Sequence, residues 1–236
     1  MANTYYSMLY QIADLIADVP GEDGLARRCA DYLYSGDRGA DIIIRTDLYR
    51  LGKYPGNASR ELIAYMEAAF QFYTKLLDHD GFYIHASAVI KDGKAYLFSG
   101  QCGAGKSTHT RLWISTFGGD TRVINDDKPA LRLVDGVWYA YGTPWCGKDD
   151  ININEKAPVA GLCFLKQASK NEIRRLSTKE ALFRILSQTI FRFEQADRAD
   201  ALTKLVEDFL TKIPVYELEN LPVSDAAKLS YETMSR

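Results

Sequence analysis

Residues 82–107 confine the possible folds more than any other part of the chain. Two β-rich runs, 82–90 and 95–98, flank Lys91-Asp92-Gly93-Lys94. Asp-Gly between apolar runs is the strongest short signal for a two-residue hairpin turn. The second run leads straight into Gly100-Gln101-Cys102-Gly103-Ala104-Gly105-Lys106-Ser107, and residues 107–117 after it can form a helix. Another Asp-Gly pair, Asp135-Gly136, separates 129–134 from 137–141. Parallel neighbours need long crossovers, so a sheet whose strand into the glycine-rich loop is itself half of a hairpin is mixed. The expected fold is α/β, a mixed β-sheet with flanking helices.

The loop itself fits the pattern G-x-x-x-x-G-K-[ST], in the strand–loop–helix setting that the pattern requires. In such a loop the backbone N–H groups turn inward around a polyphosphate, and glycine stands where a Cβ would collide. Gly100, Gln101, Cys102, Gly103, Ala104 and Gly105 are thus read as the cradle, with Thr108 beside them. Lys106 reaches the outer phosphates and the Ser107 hydroxyl ligates Mg²⁺. The expected cofactors are ATP, or another nucleoside polyphosphate, and Mg²⁺; the loop grips phosphates and leaves the base open.

Val123-Ile124-Asn125-Asp126-Asp127 is an apolar run that ends in two carboxylates. An acidic residue at such a strand end can hold the nucleotide's Mg²⁺, and a carboxylate near the terminal phosphate can accept the proton of an attacking hydroxyl. Neighbouring strand side chains point to opposite faces, so both serve one site only if the strand ends there, as Pro129 predicts. In isolation the pair reads more simply as a solvated turn; the preceding loop reverses that preference. His85 lies on the run 82–90, where a lone histidine is ordinarily a core or surface residue with a satisfied hydrogen bond. Residues 142–150, with two glycines, Pro144, Trp145 and Lys148, make a shaped loop. We expect it to border the acceptor pocket, with Lys148 facing a polar or anionic group and Trp145 forming a wall, although Trp145 equally fits as a plug of the core.

Composition narrows the class. The net charge is −2 with scattered Lys and Arg, which gives no electrostatic basis for nucleic acid or anionic membrane. No apolar run approaches the ~20 residues of a membrane span, and the N-terminus has no signal-peptide pattern. The four cysteines form no C-x-x-C pair and the three histidines are too few for a His-rich zinc site. A cytoplasmic globular protein is expected.

Elsewhere, residues 5–19 are open between strand and helix. Residues 41–45 read as a strand, and 59–79 as an amphipathic helix capped by Ser59. Further strands are expected at 161–165, 172–176 and 215–218. Helices are expected at 178–191, opened by a Ser177–Glu180 capping box, at 198–211, and from Ser224 onward. Residues 1–80 are expected to pack on a core formed by 81–236, giving one compact unit.

Ile84-His85-Ala86, then the hairpin and residues 100–107, then Asn125-Asp126-Asp127-Lys128 resemble the kinase domain of HPr kinase/phosphorylase, which is related in fold to phosphoenolpyruvate carboxykinase. The resemblance covers residues 82–135. Residues 142–154 are also similar to a stretch shared by small kinase-like proteins of peptide-modification gene cassettes. The resemblance implies a P-loop core of the phosphoenolpyruvate carboxykinase/HPr kinase type. It implies Asp126 as catalytic base, Asp127 as metal ligand and His85 as a partner that tunes the base. The activity implied is a kinase that phosphorylates a hydroxyl of a small molecule or of a peptide serine. The Gly- and Arg-rich C-terminal signature of the HPr enzymes has no counterpart after Gly161, so neither an HPr substrate nor phosphorolysis is expected. Two other classes stay open: a carboxykinase-like enzyme on a small acid, and a nucleotide-binding accessory protein without turnover. The first needs cationic substrate ligands that the sequence does not locate; the intact Lys106, Ser107, Asp126 and Asp127 argue against the second.

Overall fold

In the computed structural model, which describes residues 7–21, 23–189 and 196–236, the N-terminal segment is a hairpin. Strands β1 (Ser7–Ile12) and β2 (Leu15–Pro20) pair antiparallel around Ala13 and Asp14. Both turn residues have positive φ, as a two-residue turn of the primed type demands. Residues 5 and 6 lie outside the described residues. A short helix α1 (Asp23–Arg28) follows, then β3 (Ile42–Ile43), which pairs parallel to β2 and is shorter than the expected 41–45. Helix α2 (Arg60–Leu76) starts as expected, with the Ser59 side chain accepting from the Leu62 amide at 3.1 Å.

The larger sheet is built from β4 (Gly81–Tyr83), β5 (Ala86–Lys91), β6 (Lys94–Ser99), then, after helix α3 (Lys106–Phe117), β7 (Arg122–Asp127), β8 (Ala130–Val134) and β9 (Val137–Tyr141). It is completed by β10 (Lys156–Gln167), β11 (Glu172–Arg175) and, after helices α4 (Thr178–Ser187) and α5 (Ala196–Lys212), β12 (Val215–Asn220); helix α6 (Ser224–Met234) follows. The spatial order is β4-β8-β9-β10-β6-β5-β7, with β12 on the other flank of β10 and β11 beyond it. Strand β6 has β5 antiparallel on one side and β10 parallel on the other, so the sheet is mixed. Both Asp-Gly pairs sit at hairpin turns with positive φ at each residue.

Two expectations change. Strand β10 runs well beyond 161–165, with Pro158 and Gly161 sitting where it changes neighbours. Its first residues pair with β9, a register shift falls between Val159 and Gly161, and the rest lies between β6 and β12. The run 82–90 is not one strand. Its first part pairs with β8 and its second with β6 and β7, and the chain leaves the ladder at Ile84 and His85. Across that gap the register is unchanged: Tyr83 stands opposite Ala130 and Ala86 opposite Asp127. Residues 81–88 and 125–132 are therefore one antiparallel ribbon in a single register, open at 84–85 facing 128–129, and a register shift follows between Ala88 and Val89. Pro129, which has no N–H to give, explains the break on its side. The helix expected over 178–191 ends at Ser187, and residues 190 and 191 lie outside the described residues.

Strand alternation sorts the cores. On β6, Leu97 faces the layer that includes Ile185 of α4 and Phe209 of α5, while Tyr96 and Phe98 face Trp113 of α3 and Ala227 of α6. A third cluster joins the N-terminal hairpin and α2 to Ala130, Tyr141 and Trp145 of the larger sheet and its following loop. No helix of the described residues is long and apolar enough to cross a membrane.

Candidate active site

The break in the ribbon puts chemistry where a ladder would otherwise be. Freed from β-pairing, the His85 amide donates to the Gln188 carbonyl at 2.7 Å, and its own carbonyl accepts from the Ser99 hydroxyl at 2.8 Å. Opposite, the fully buried Asn125 holds the departing chain. Its Oδ1 accepts from the Lys128 amide at 2.7 Å, and its Nδ2 donates to the carbonyls of Thr143 and Trp145 at 3.0 and 3.2 Å. The Tyr73 hydroxyl donates to the Lys128 carbonyl at 2.6 Å. Asp127 sits at φ +111, outside strand geometry, which ends β7 at the second carboxylate.

The two carboxylates then part company. Asp126, nearly buried, accepts from the Ser107 hydroxyl at 3.0 Å on one oxygen and from the Ser87 hydroxyl on the other. Asp127 contacts His85 Nε2 at 2.7 Å and the Lys128 ammonium. Burial by itself would raise the Asp127 carboxyl; the bonds from His85 and Lys128 override it and hold the group well below the usual carboxylate range. His85 was expected beside Asp126, and the structure sets it on Asp127 instead. The residue facing Asp126 is Ser87, and the break releases His85 from the ladder, where the register would set it opposite Lys128, to reach Asp127. His85 Nδ1 lies 3.1 Å from the Gln188 side-chain oxygen, so both ring nitrogens are engaged.

The glycine-rich loop reaches the same place from β6. Gly103 and Gly105 have φ of +82° and +98° with nothing near the position of a Cβ, so it is the backbone conformation that calls for glycine there. Within the loop the Ala104 amide donates to the Gln101 carbonyl at 3.0 Å, and Gln167 braces it by donating to the Gly103 carbonyl at 2.8 Å. Among the described residues the amides of Cys102, Gly103 and Gly105 have no protein acceptor, and the loop opens helix α3, whose N-terminus favours anions. The half-buried Lys106 ammonium rests on the Gly100 carbonyl at 3.2 Å. Burial lowers its pKa, and Asp127, Cys102 and Asp126 act in the other direction, which sets both carboxylates in one electrostatic neighbourhood with this lysine. Thr108 is exposed in the first turn.

These groups fit a polyphosphate with Mg²⁺. The free amides and Lys106 suit phosphate oxygens. The hard oxygens of Ser107 and Asp126, already 3.0 Å apart, would supply the small protein share of a Mg²⁺ shell completed by phosphates. No group of three or more His, Cys, Asp or Glu that could hold a metal ion occurs among the described residues.

The loop 142–150 divides into two roles. The Gly147 amide donates to the Asp126 carbonyl, and the Asp126 amide to the Ile151 carbonyl, so the loop is fastened to the carboxylate pair. Lys148 is exposed beside it. Trp145 does not form a wall of an open site. It is fully buried, with ring centroids 4.9 Å from Phe72 and 5.6 Å from Tyr73, because the apolar surface of α2 receives it. It contributes through its carbonyl on Asn125. Sequence reasoning gave no role to Ser87, Asn125, Lys128 or Gln188. A serine within Ala86-Ser87-Ala88-Val89-Ile90 and an asparagine after Val123-Ile124 are polar residues inside apolar strands, a readable signal; Gln188 carries none.

No curated protein matches the chain. Among solved structures it is similar to the HPr(Ser) kinase/phosphatase from Coxiella burnetii, at 13% identity and a TM-score of 0.37, over 65% of this chain and 88% of that one. A superposition at that level says nothing about chemistry. The family described as SynChlorMet cassette protein ScmC matches residues 55–224, most of the chain and every site residue named above, and the chain belongs to that family.

Proposed function

We propose that this chain is a nucleotide- and Mg²⁺-dependent phosphotransferase acting on a hydroxyl group. One observation carries the reading: the glycine-rich loop with Lys106 and Ser107, and the strand end with Asp126 and Asp127, meet at the ribbon break beside His85. Phosphoryl transfer asks mainly for positioning and charge neutralisation, which suits such a set.

In this reading the carboxylates exchange the roles expected from sequence. Asp126, bonded to Ser107, pairs with it as the Mg²⁺ ligand set; the ion, when bound, neutralises phosphate charge. Asp127 takes the proton. The acceptor oxygen bonds to the terminal phosphorus, the bond from that phosphorus to its bridging oxygen breaks, and the nucleotide leaves one phosphate shorter. The hydroxyl proton passes to Asp127, which its bonds from His85 and Lys128 keep ionised at neutral pH. So acidic a group is a weak base, so it accepts the proton late, after the new bond has largely formed. Lys106 steadies the transferring group and His85 orients Asp127.

The test is mass spectrometry of ATP, Mg²⁺ and a panel of hydroxyl compounds incubated with the protein, seeking a phosphorylated product. Asp127→Asn is expected to keep nucleotide binding and lose about 10²–10⁴ in rate. Asp126→Asn is expected to raise the Mg²⁺ concentration needed for half-maximal rate. Wild-type rate in Asp127→Asn, with loss in Asp126→Asn at saturating Mg²⁺, returns the base to Asp126. No nucleotide binding by calorimetry at several Mg²⁺ concentrations overturns the reading altogether.

A further inference from the structure

A cavity of about 500 Å³ lies against the outer flank of the glycine-rich loop, within the size range of small-molecule sites. Gly100, Gln101, Cys102, Gly103 and Ala104 form one wall. The end of β10, from Phe164 to Gln167, forms the floor, and Arg184, Ser187 and Gln188 of α4 and its C-terminus close the far side over Glu217. Two residues of this lining also touch the candidate active site. The Gly100 carbonyl carries the Lys106 ammonium at 3.2 Å, and Gln188 holds His85 Nδ1 at 3.1 Å, with Asp127 on the other ring nitrogen.

The charged group in this cavity is built to receive an anion. Glu217 is nearly buried and lies between two guanidinium groups, Arg174 at 2.9 Å and Arg184 in direct contact. Arg174 is also paired with Glu180 at 3.0 Å, so the cluster is balanced in charge, and what it offers an anion is the unsatisfied donors of Arg184. Arg184 spends only Nη2 on Glu217; among the described residues its Nε and Nη1 have no acceptor. Its guanidinium is also held near the Phe164 ring, 5.6 Å from the centroid. Nη2 carries two hydrogens, so the one that Glu217 leaves unused forms, with a hydrogen of Nη1 or of Nε, one remaining edge that matches a carboxylate in planar, two-bond geometry. Gln101, Gln167, Gln188 and Ser187 add neutral hydrogen-bonding groups around it.

We propose that this cavity binds a small carboxylate that also bears a hydroxyl, a hydroxy acid or hydroxyl amino acid, with its carboxylate on the free edge of Arg184. Placed there, its hydroxyl end has Gly100 and Gln188 before it, the two lining residues that Lys106 and His85 contact. The assignment of this ligand as the phosphoryl acceptor rests on the function proposed above; the binding itself does not.

Saturation-transfer NMR on the full chain, with L-serine and D-glycerate as probes and serinol and glycerol as counterparts without the carboxylate, tests it. Saturable binding is expected for at least one carboxylate and for neither counterpart. Arg184→Met is expected to weaken that binding about tenfold or more, as the loss of a charge-assisted pair does, with Mg²⁺–ATP affinity by calorimetry unchanged. Ser187→Trp, which fills the mouth and leaves the Arg184–Glu217 pair in place, should abolish it as well, so a folding defect in either variant alone does not decide the matter. Equal binding of serinol, undiminished binding in both variants, or no binding of either carboxylate overturns the proposal. Arg184-dependent binding with no phosphorylated product sustains the site and overturns the kinase reading. A phosphorylated product formed equally well by Arg184→Met does the reverse.

Discussion

At the scale of single residues, Asp127 has the most to reveal, because its contacts affect both chemistry and stability. Its carboxyl is lowered on folding by His85 and Lys128 against the opposing effect of burial. A carboxyl lowered on folding stabilises the native state above its unfolded pKa, and that stabilisation is lost as pH falls toward the folded value. The difference in urea midpoint between wild type and Asp127→Asn should therefore be the same at pH 7 and pH 5. It should narrow once the pH drops below the ordinary aspartate value of about 3.8. A gap that stays constant down to pH 3 would show that the ion pairs contribute nothing. Lys106 makes a simpler case. It is the side-chain cation seated on the loop, and Lys106→Ala should weaken Mg²⁺–ATP binding at least tenfold by calorimetry.

At the scale of elements, helix starts and turns were legible because their chemistry is local. The Ser177–Glu180 box closes as the sequence implies, with both reciprocal bonds present. Ser177→Ala should cost about 1 kcal/mol in urea unfolding and leave nucleotide affinity alone. Gly105→Ala should affect both: an Ala forced to φ +98 costs about 1–2 kcal/mol, and the loop can relieve it only by abandoning the conformation that exposes its amides, so binding falls with stability. What the sequence hid was long-range. The run 82–90 reads as one strand because nothing local to Ile84 and His85 announces a break; the cause is partly Pro129, on the facing strand. The N-terminal hairpin was unreadable for a different reason. Its turn uses Ala13 and Asp14 at positive φ, where glycine or asparagine would have given the signal. Asp126 and Asp127 could likewise be located from sequence but not told apart, since their partners Ser87 and His85 come from the facing side of the ribbon.

At the scale of the whole molecule, the third core cluster ties the N-terminal sheet to the site through Trp145, which is fully buried against Phe72 and Tyr73. Trp145→Ala should cost about 3–5 kcal/mol by cavity formation and slacken the Asn125 network that holds Lys128. Lys148→Ala, three residues on and exposed, should leave the melting temperature unchanged; a fall in melting temperature for Lys148→Ala equal to that for Trp145→Ala would refute this division of the loop. The ribbon carries a last consequence. Because the pairing is in phase on both sides of the gap, the number of residues across it is fixed more tightly than their kinds. Swapping a side chain at 84, 85, 128 or 129 changes one group, whereas inserting one residue on either strand would turn everything beyond it through to the other face of the sheet. Among homologous chains the spacing from Tyr83 to Ala86 and from Asp127 to Ala130 should thus resist insertion and deletion, even where the letters between drift. In the loop 142–150, held at Thr143, Trp145 and Gly147, the exposed residues 148–150 are where length can vary.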